Sequence, residues 1–102
     1  VAWFAVGSNG FQNGAPDGLA LVVVSTDAVV PGQFLSYEGT ITASAGPASG
    51  MTSVDIGVSE SSSASVGDSL QLGGTGTSYA DFTWQESSAS THDAVNTGQT
   101  FR

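Results

Sequence analysis

The chain has 102 residues, and nine acidic residues against a single arginine give it a formal net charge of −8. Because nucleic acids and anionic lipids are bound through lysine and arginine, this balance argues against both as partners. The chain contains no cysteine, so a disulfide framework, a thiolate metal site and a cysteine nucleophile are excluded.

The length predicts a single domain over residues 1–102. No apolar run approaches the roughly 18 residues of a membrane-spanning helix, which argues against membrane insertion. Position 1 is a valine, which predicts that the chain has been processed, either by cleavage of a leader or by removal of a methionine ahead of Val1. A composition with 14 glycines and only 10% charged residues favours an extracellular, cell-surface or virion-surface location.

The first predicted element, Val1–Val6, is apolar on both faces of an extended segment. Trp3 lies on one face and Phe4 on the other. A segment this apolar is expected to be buried, so residues 1–6 are predicted to form an interface or a donated strand. The residues proposed for contact there are Val1, Trp3, Phe4 and Val6.

The next element, Leu19–Thr26, is a continuous apolar run rich in β-branched residues. Its length and composition predict a strand covered on both faces. One face of a strand in a two-sheet sandwich normally meets water, so a further element has to cover the second face. Leu19, Leu21 and Val23 are therefore added to the predicted interface.

Alternation is clearest in Gln33–Ala43, which predicts a half-buried strand started by a turn at Pro31-Gly32. The inward face is predicted to hold Leu35, Tyr37, Ile41 and Ala43, and Ser36 is placed on the outward face.

Three further strands are predicted at Thr52–Ser59, Ser69–Leu72 and Thr77–Gln85, with a weaker one in 94–101. Their predicted inward residues are Val54, Ile56, Val58, Leu70, Leu72, Ala80, Phe82 and Trp84. No segment sustains helical periodicity over two turns. We therefore expect an all-β fold with very little helix: a single antiparallel β-sandwich, Ig-like or jelly-roll-like, with Greek-key connections.

The strings PGQFLSYEGTITASAG, TSVDIGVSE, VGDSLQL and YADFTW carry a family resemblance over Pro31 to Trp84. In this region the chain resembles the immunoglobulin-like domains of secreted prokaryotic proteins, including the cell-adhesion-related type. The resemblance implies a seven-strand Greek-key sandwich that serves as a spacer, adhesion module or assembly unit. It implies no catalytic residues.

Catalytic and ligand-binding alternatives have weaker patterns. His92-Asp93 beside several serines allows a hydrolytic triad to be imagined, but no nucleophile-elbow motif accompanies it. Calcium is a further possibility through turn carboxylates, although their spacing matches no known loop pattern. The carboxylates concerned are Asp17, Asp27, Asp68 and Asp93. Exposed aromatic residues that would stack on sugars are Trp3, Phe4, Phe11 and Tyr37.

The sequence therefore favours a non-enzymatic structural subunit of a repeating assembly, either an extracellular filament or a virion surface or decoration layer. Its partners are predicted to be copies of itself or another assembly subunit, and no cofactor is required. The alternative is a secreted carbohydrate- or ligand-binding module, with calcium as an optional ion. A row of exposed aromatic residues on one sheet face would distinguish this alternative.

Overall fold

The structure, a computed structural model, describes residues 14–102. These residues form two compact units, 14–57 and Val58–Arg102, and each contains one three-stranded sheet. The prediction of a single domain over residues 1–102 stays a prediction.

The sheet of the first unit has the order β1-β2-β3, with β1 at Asp17–Val23, β2 at Ala28–Tyr37 and β3 at Val54–Asp55. β1 and β2 are antiparallel, whereas β2 and β3 are parallel. The turn between β1 and β2 lies at residues 24–27, where Asp27 has a φ of 51°. The strand predicted over Leu19–Thr26 is therefore confirmed for residues 19–23, whereas its last three residues belong to the turn, and β1 is an edge strand of its sheet.

The predicted turn at Pro31-Gly32 was placed incorrectly, because both residues lie inside β2. Ala20 pairs with Phe34 and Val22 pairs with Val29, so four residues of β2 lie opposite Leu21 alone. The extra residues form a bulge, which accepts a proline because its residues do not all have to donate to the ladder.

The predicted faces of β2 were also wrong. Phe34 and Ser36 are the buried residues, at 6% and 1% exposure, while Leu35 and Tyr37 are half-buried. The strand ends at Tyr37 because Glu38 and Gly39 take positive φ values of 61° and 128°. The pattern assigned the serine to water, whereas its hydroxyl has partners inside the unit.

β3 is shorter than predicted, and its Val54 is exposed while the neighbouring Ser53 is buried. The carboxylate of Asp55 accepts hydrogen bonds from the backbone N–H groups of Gly39, at 3.1 Å, and Gly57, at 2.9 Å. These bonds tie the end of β2 to β3.

The sheet of the second unit has the order β5-β4-β6, with β4 at Asp68–Gly76, β5 at Phe82–Ala89 and β6 at Gln99–Phe101. β4 is antiparallel to β5 and parallel to β6. A single 3₁₀ turn, Tyr79–Asp81, precedes β5. The strand predicted from Thr77 therefore begins at Phe82, since the preceding residues form this turn.

The all-β prediction and its very low helix content are confirmed by these elements. Each sheet also contains one parallel pair, which an antiparallel pattern does not include. Among the described residues the buried apolar side chains are Phe34 and Ala48, whereas three polar side chains are buried: Ser36, Ser53 and Gln71. Hydrogen bonding inside the units therefore carries more of the specificity than the sequence pattern indicates.

Candidate interface on strand β1

The largest run of exposed aliphatic side chains in the first unit follows β1. Leu19, Leu21 and Val23 are 59%, 60% and 44% exposed, and Val24 in the following turn is 89% exposed. The first three alternate along the strand and so share one face. The structure thus brings together three of the predicted interface residues; the other four, Val1, Trp3, Phe4 and Val6, lie outside the described residues.

β1 was predicted to be covered on both faces, and the observed exposure differs from this. Its leucines are more than half exposed, Ala20 on the opposite face is also exposed, and Val22 is half-buried. An exposed edge strand with an apolar face is normally protected against pairing with another chain by charged residues, especially lysine, or by proline. β1 carries only Asp17, at its first residue.

The backbone edge of β1 adds to the apolar row. β1 is an outer strand of its sheet, and within residues 14–102 its partner is β2 alone. The N–H and C=O groups that point away from β2 are suited to pairing with another strand. We call the outer edge of Asp17–Val23, together with Leu19, Leu21 and Val23, the β1 edge.

A second exposed surface lies on the sheet of the other unit. The rings of Phe82 on β5 and Phe101 on β6 meet edge to face, with centroids 5.3 Å apart. Phe82 pairs with Gly74 of β4, and Phe101 pairs with Gly76 of the same strand. Phe101 is 60% exposed.

This aromatic surface extends along β5. The indole N–H of Trp84 donates to the hydroxyl of Tyr79 at 3.0 Å, and this bond orients both rings. Tyr79 is 43% exposed and Trp84 is half-buried. Trp84, which was predicted to lie in the core, is therefore less buried than expected. We call Tyr79, Phe82, Trp84 and Phe101 the aromatic surface. The sequence missed Phe101 because its parallel pairing with β4 leaves no local signal.

The predicted calcium carboxylates have separate structural settings. Asp27 and Asp93 take positive φ values of 51° and 65°, and Asp68 accepts a hydrogen bond from the Ser65 N–H at 3.2 Å. Over residues 14–102 the structure brings no three His, Asp or Glu side chains together in a way that could hold a metal ion.

The segment around His92 is a turn. The backbone N–H of His92 donates to the Ser90 hydroxyl at a long 3.4 Å, and Ala94 donates to the carbonyl of Thr91 at 2.9 Å. These contacts close the turn.

The carboxylate of Asp81, which ends the 3₁₀ turn, is held by its own loop. Its Oδ2 accepts hydrogen bonds from the Thr77 N–H at 3.0 Å and from the N–H and hydroxyl of Ser78, both at 2.9 Å. Donation by the Thr77 N–H, followed by the two Ser78 groups, lowers the pKa of this carboxyl below its ordinary value. These hydrogen bonds give the Asp81 carboxylate a structural role in its loop, so we assign it no catalytic role.

None of the helical residues described forms a helix long and apolar enough to cross a membrane. A scan against protein-family models, a search of curated proteins and a search of solved structures each found no match to this chain.

Proposed function

We propose that the chain is a non-enzymatic structural subunit of a repeating assembly, either an extracellular filament or a virion surface layer. The observation that carries the proposal is the exposed apolar row on the β1 edge. The outer backbone groups of this strand pair with no other strand of residues 14–102, and its aliphatic side chains are exposed, which suits it to contact with another copy.

The energetics support contact through this row. Full burial of a leucine or valine side chain stabilises by about 1.5–3 kcal/mol, and Leu19 and Leu21 have more than half of that burial still to gain. While these side chains remain exposed, they contribute no burial energy to the stability of the isolated chain.

Charge favours the same kind of contact. The chain carries a net charge of −8 and its only cation is Arg102, so copies have few opposite charges with which to attract one another. Apolar burial and backbone hydrogen bonds are left as the main attractive terms. The same charge disfavours nucleic acid as a partner, and the composition agrees with a location outside the cell.

The N-terminal residues extend the proposal. Val1, Trp3, Phe4 and Val6 alternate on two apolar faces in the sequence. In the assembly they serve as a second contact, packed on or added as a strand to an adjacent copy. The immunoglobulin-like resemblance, which implies an assembly or adhesion unit, supports the same class of function.

The test is the mass of the intact chain by size-exclusion chromatography with light scattering, over a wide concentration range. The native chain is expected to form multiples of the monomer, and Leu21→Ser is expected to shift it toward monomer. Val66→Ser is the matched control, because Val66 is fully exposed in the other unit and off the β1 edge. A native chain that stays monomeric throughout contradicts the proposal.

Removal of residues 1–6 and imaging of native material complete this test. If the truncated chain has the same mass and solubility as the native chain, the proposed N-terminal contact is contradicted. Electron micrographs showing ordered polymers would favour the filament, and decorated particles would favour the surface layer.

The aromatic surface favours a second candidate function, a secreted carbohydrate-binding module. Aromatic rings in a row on a sheet face stack on the apolar faces of sugar rings. The net charge of −8 favours neutral sugars over anionic ones. A glycan array of the intact chain tests this candidate: binding lost in Tyr79→Ala and Phe101→Ala, and kept in Leu21→Ser, supports it, whereas no binding to any neutral glycan contradicts it.

A further inference from the structure

We propose that two copies pair through their β1 strands, antiparallel, about a two-fold axis that passes through Leu21. This inference rests on the proposed self-assembly and specifies which segment of the second copy occupies the β1 edge. It has three parts: the choice of edge, the direction of pairing and the register.

The choice of edge follows from length and charge. Of the outer strands described, β3 and β6 have two and three residues, and β5 carries Glu86 at a break in its pairing with β4. β1 has seven residues, and no charged side chain lies between Gly18 and Thr26. A long edge without charge is the one that pairs most readily with another chain.

The direction follows from Asp17. Parallel pairing in register would place the two Asp17 carboxylates side by side, and like charges directly opposite each other are destabilising. Antiparallel pairing centred on Leu21 places the two Asp17 residues at opposite ends, about 27 Å apart at roughly 3.4 Å per residue. It also generates the closed two-fold symmetry that is commonest among homodimers.

The register follows from which residues face each other. Centred on Leu21, the pairing sets Leu19 opposite Val23 of the other copy, on the shared apolar face. Asp17 lies beyond the paired residues, because β1 ends at Val23 and a turn follows it. Moving the axis to Val22 leaves only residues 21–23 paired within the strand, and it sets Leu19 against the turn of the other copy, since β1 ends at Val23.

Moving the axis the other way, to Ala20, sets Asp17 opposite Val23. A carboxylate then lies against an aliphatic side chain that could have paired with Leu19, and the carboxylate loses water without gaining a partner. The register centred on Leu21 therefore combines the most apolar contact with the least charge conflict.

The experiment uses the absence of cysteine, which makes every single-cysteine variant of the full chain unambiguous. Residues directly opposite in an antiparallel pair have Cα atoms about 4.5–5.5 Å apart, within the span of a disulfide. Leu21→Cys is expected to form a covalent dimer on mild oxidation. Leu19→Cys and Val23→Cys are each expected to stay monomeric on a non-reducing gel, because their like positions lie about 14 Å apart, yet to crosslink when mixed.

Val66→Cys measures random oxidation, and each variant is compared with the mass of its reduced form by light scattering. Crosslinking of Ala20→Cys or Val22→Cys in preference to Leu21→Cys overturns the register. Crosslinking of Trp3→Cys with Leu21→Cys in a mixture, without a dimer of Leu21→Cys alone, shows the N-terminal segment at this edge; it overturns the β1 pairing and leaves self-assembly standing. Reduced chains that are monomeric at every concentration overturn both.

Discussion

The hydroxyls of Ser36 and Ser53 share a hydrogen bond of 2.6 Å across 17 residues of sequence, and both side chains are buried. The Ser36 hydroxyl also contacts the Gly39 carbonyl at 2.7 Å, and Ser53 accepts a hydrogen bond from the Ile41 N–H at 2.9 Å. The pair therefore fastens the end of β2 to the segment that precedes β3.

Replacing either serine should destabilise the first unit. Ser53→Ala leaves the Ile41 N–H without its acceptor and removes one of the two partners of the Ser36 hydroxyl, so we expect a loss of about 1–3 kcal/mol in the free energy of unfolding. Ser36→Ala should cost less, since it removes no acceptor from a backbone N–H. Denaturant unfolding of both single variants and the double variant measures the coupling, which is expected to be less than additive.

Thr42→Ala is the matched control for this cycle. Thr42 and Thr52 form an exposed hydroxyl pair at 3.1 Å in the same unit, and its loss should cost under about 0.5 kcal/mol. An equal loss in Thr42→Ala and Ser53→Ala would show that burial of the serine pair has no special effect.

Burial of these serines shows where the sequence stops predicting the fold. β-Branched runs located β1, because strand propensity is a local property. Alternation located β2 but assigned its faces wrongly. Ser36 is buried because its hydroxyl bonds to that of Ser53, which is distant in sequence. The polar residue could be buried only because that distant hydroxyl was present.

The candidate interface was more accessible to prediction than the aromatic surface. A strand with apolar residues on both faces needs a neighbouring element to cover one of them, whatever the topology. This made Leu19 and Leu21 candidate interface residues from the sequence, and both side chains are exposed in the structure. The contact of Phe82 with Phe101 depends on β6 lying parallel to β4, and a parallel pair between distant segments has no short-range signature.

Gly76 should not tolerate a side chain. A Cβ at this buried position would lie 2.6 Å from Asp81 Cγ and would overlap the rest of that side chain. Gly76→Ala therefore has to displace Asp81 and its loop, and we expect a destabilisation of about 1–3 kcal/mol by thermal or denaturant unfolding. Gly73→Ala on the same strand is the control, because its Cβ would lie 3.1 Å from Gln85 Cγ, a milder contact that should cost less.

Acid should weaken the same loop. The hydrogen bonds from Thr77 and Ser78 lower the pKa of Asp81 in the folded chain, so its stabilising contribution is fully present above the unfolded value, about 3.9. That contribution is lost as pH falls through the lower, folded pKa. The melting temperature of Asp81→Asn should thus lie below that of the native chain at pH 7, and the gap should narrow only under strongly acidic conditions.

Glu60→Gln controls for the loss of one negative charge in this comparison. Glu60 is exposed and lies outside every strand. A gap for Asp81→Asn that is no larger than that for Glu60→Gln at pH 7 would contradict the role of Asp81 in holding the loop.

Assembly through the β1 edge should strengthen with salt. Each copy carries a charge of −8 and repels the next, and raising the ionic strength from about 0.01 M to 1 M shortens the Debye length from about 30 Å to 3 Å. Light scattering should therefore show a larger mass at high sodium chloride. A mass that falls with salt would indicate that ionic contacts, rather than Leu19 and Leu21, hold the copies together.

Gln71 in the second unit should not accept a charge. It is buried, and its Nε2 donates to the Ser69 hydroxyl at 2.9 Å and to the Ala89 carbonyl at 2.8 Å. Gln71→Glu sets an oxygen against that carbonyl, so a loss of about 1–3 kcal/mol is expected at pH 7. Burial raises the pKa of such a carboxyl in the folded state, so stability should return as pH falls through that raised value, with recovery complete below about 4.3. Gln85 is exposed on the neighbouring strand, so Gln85→Glu should lose little stability at pH 7 or at acidic pH. Equal pH profiles of stability for the two variants would contradict burial of the Gln71 amide as the cause of the loss.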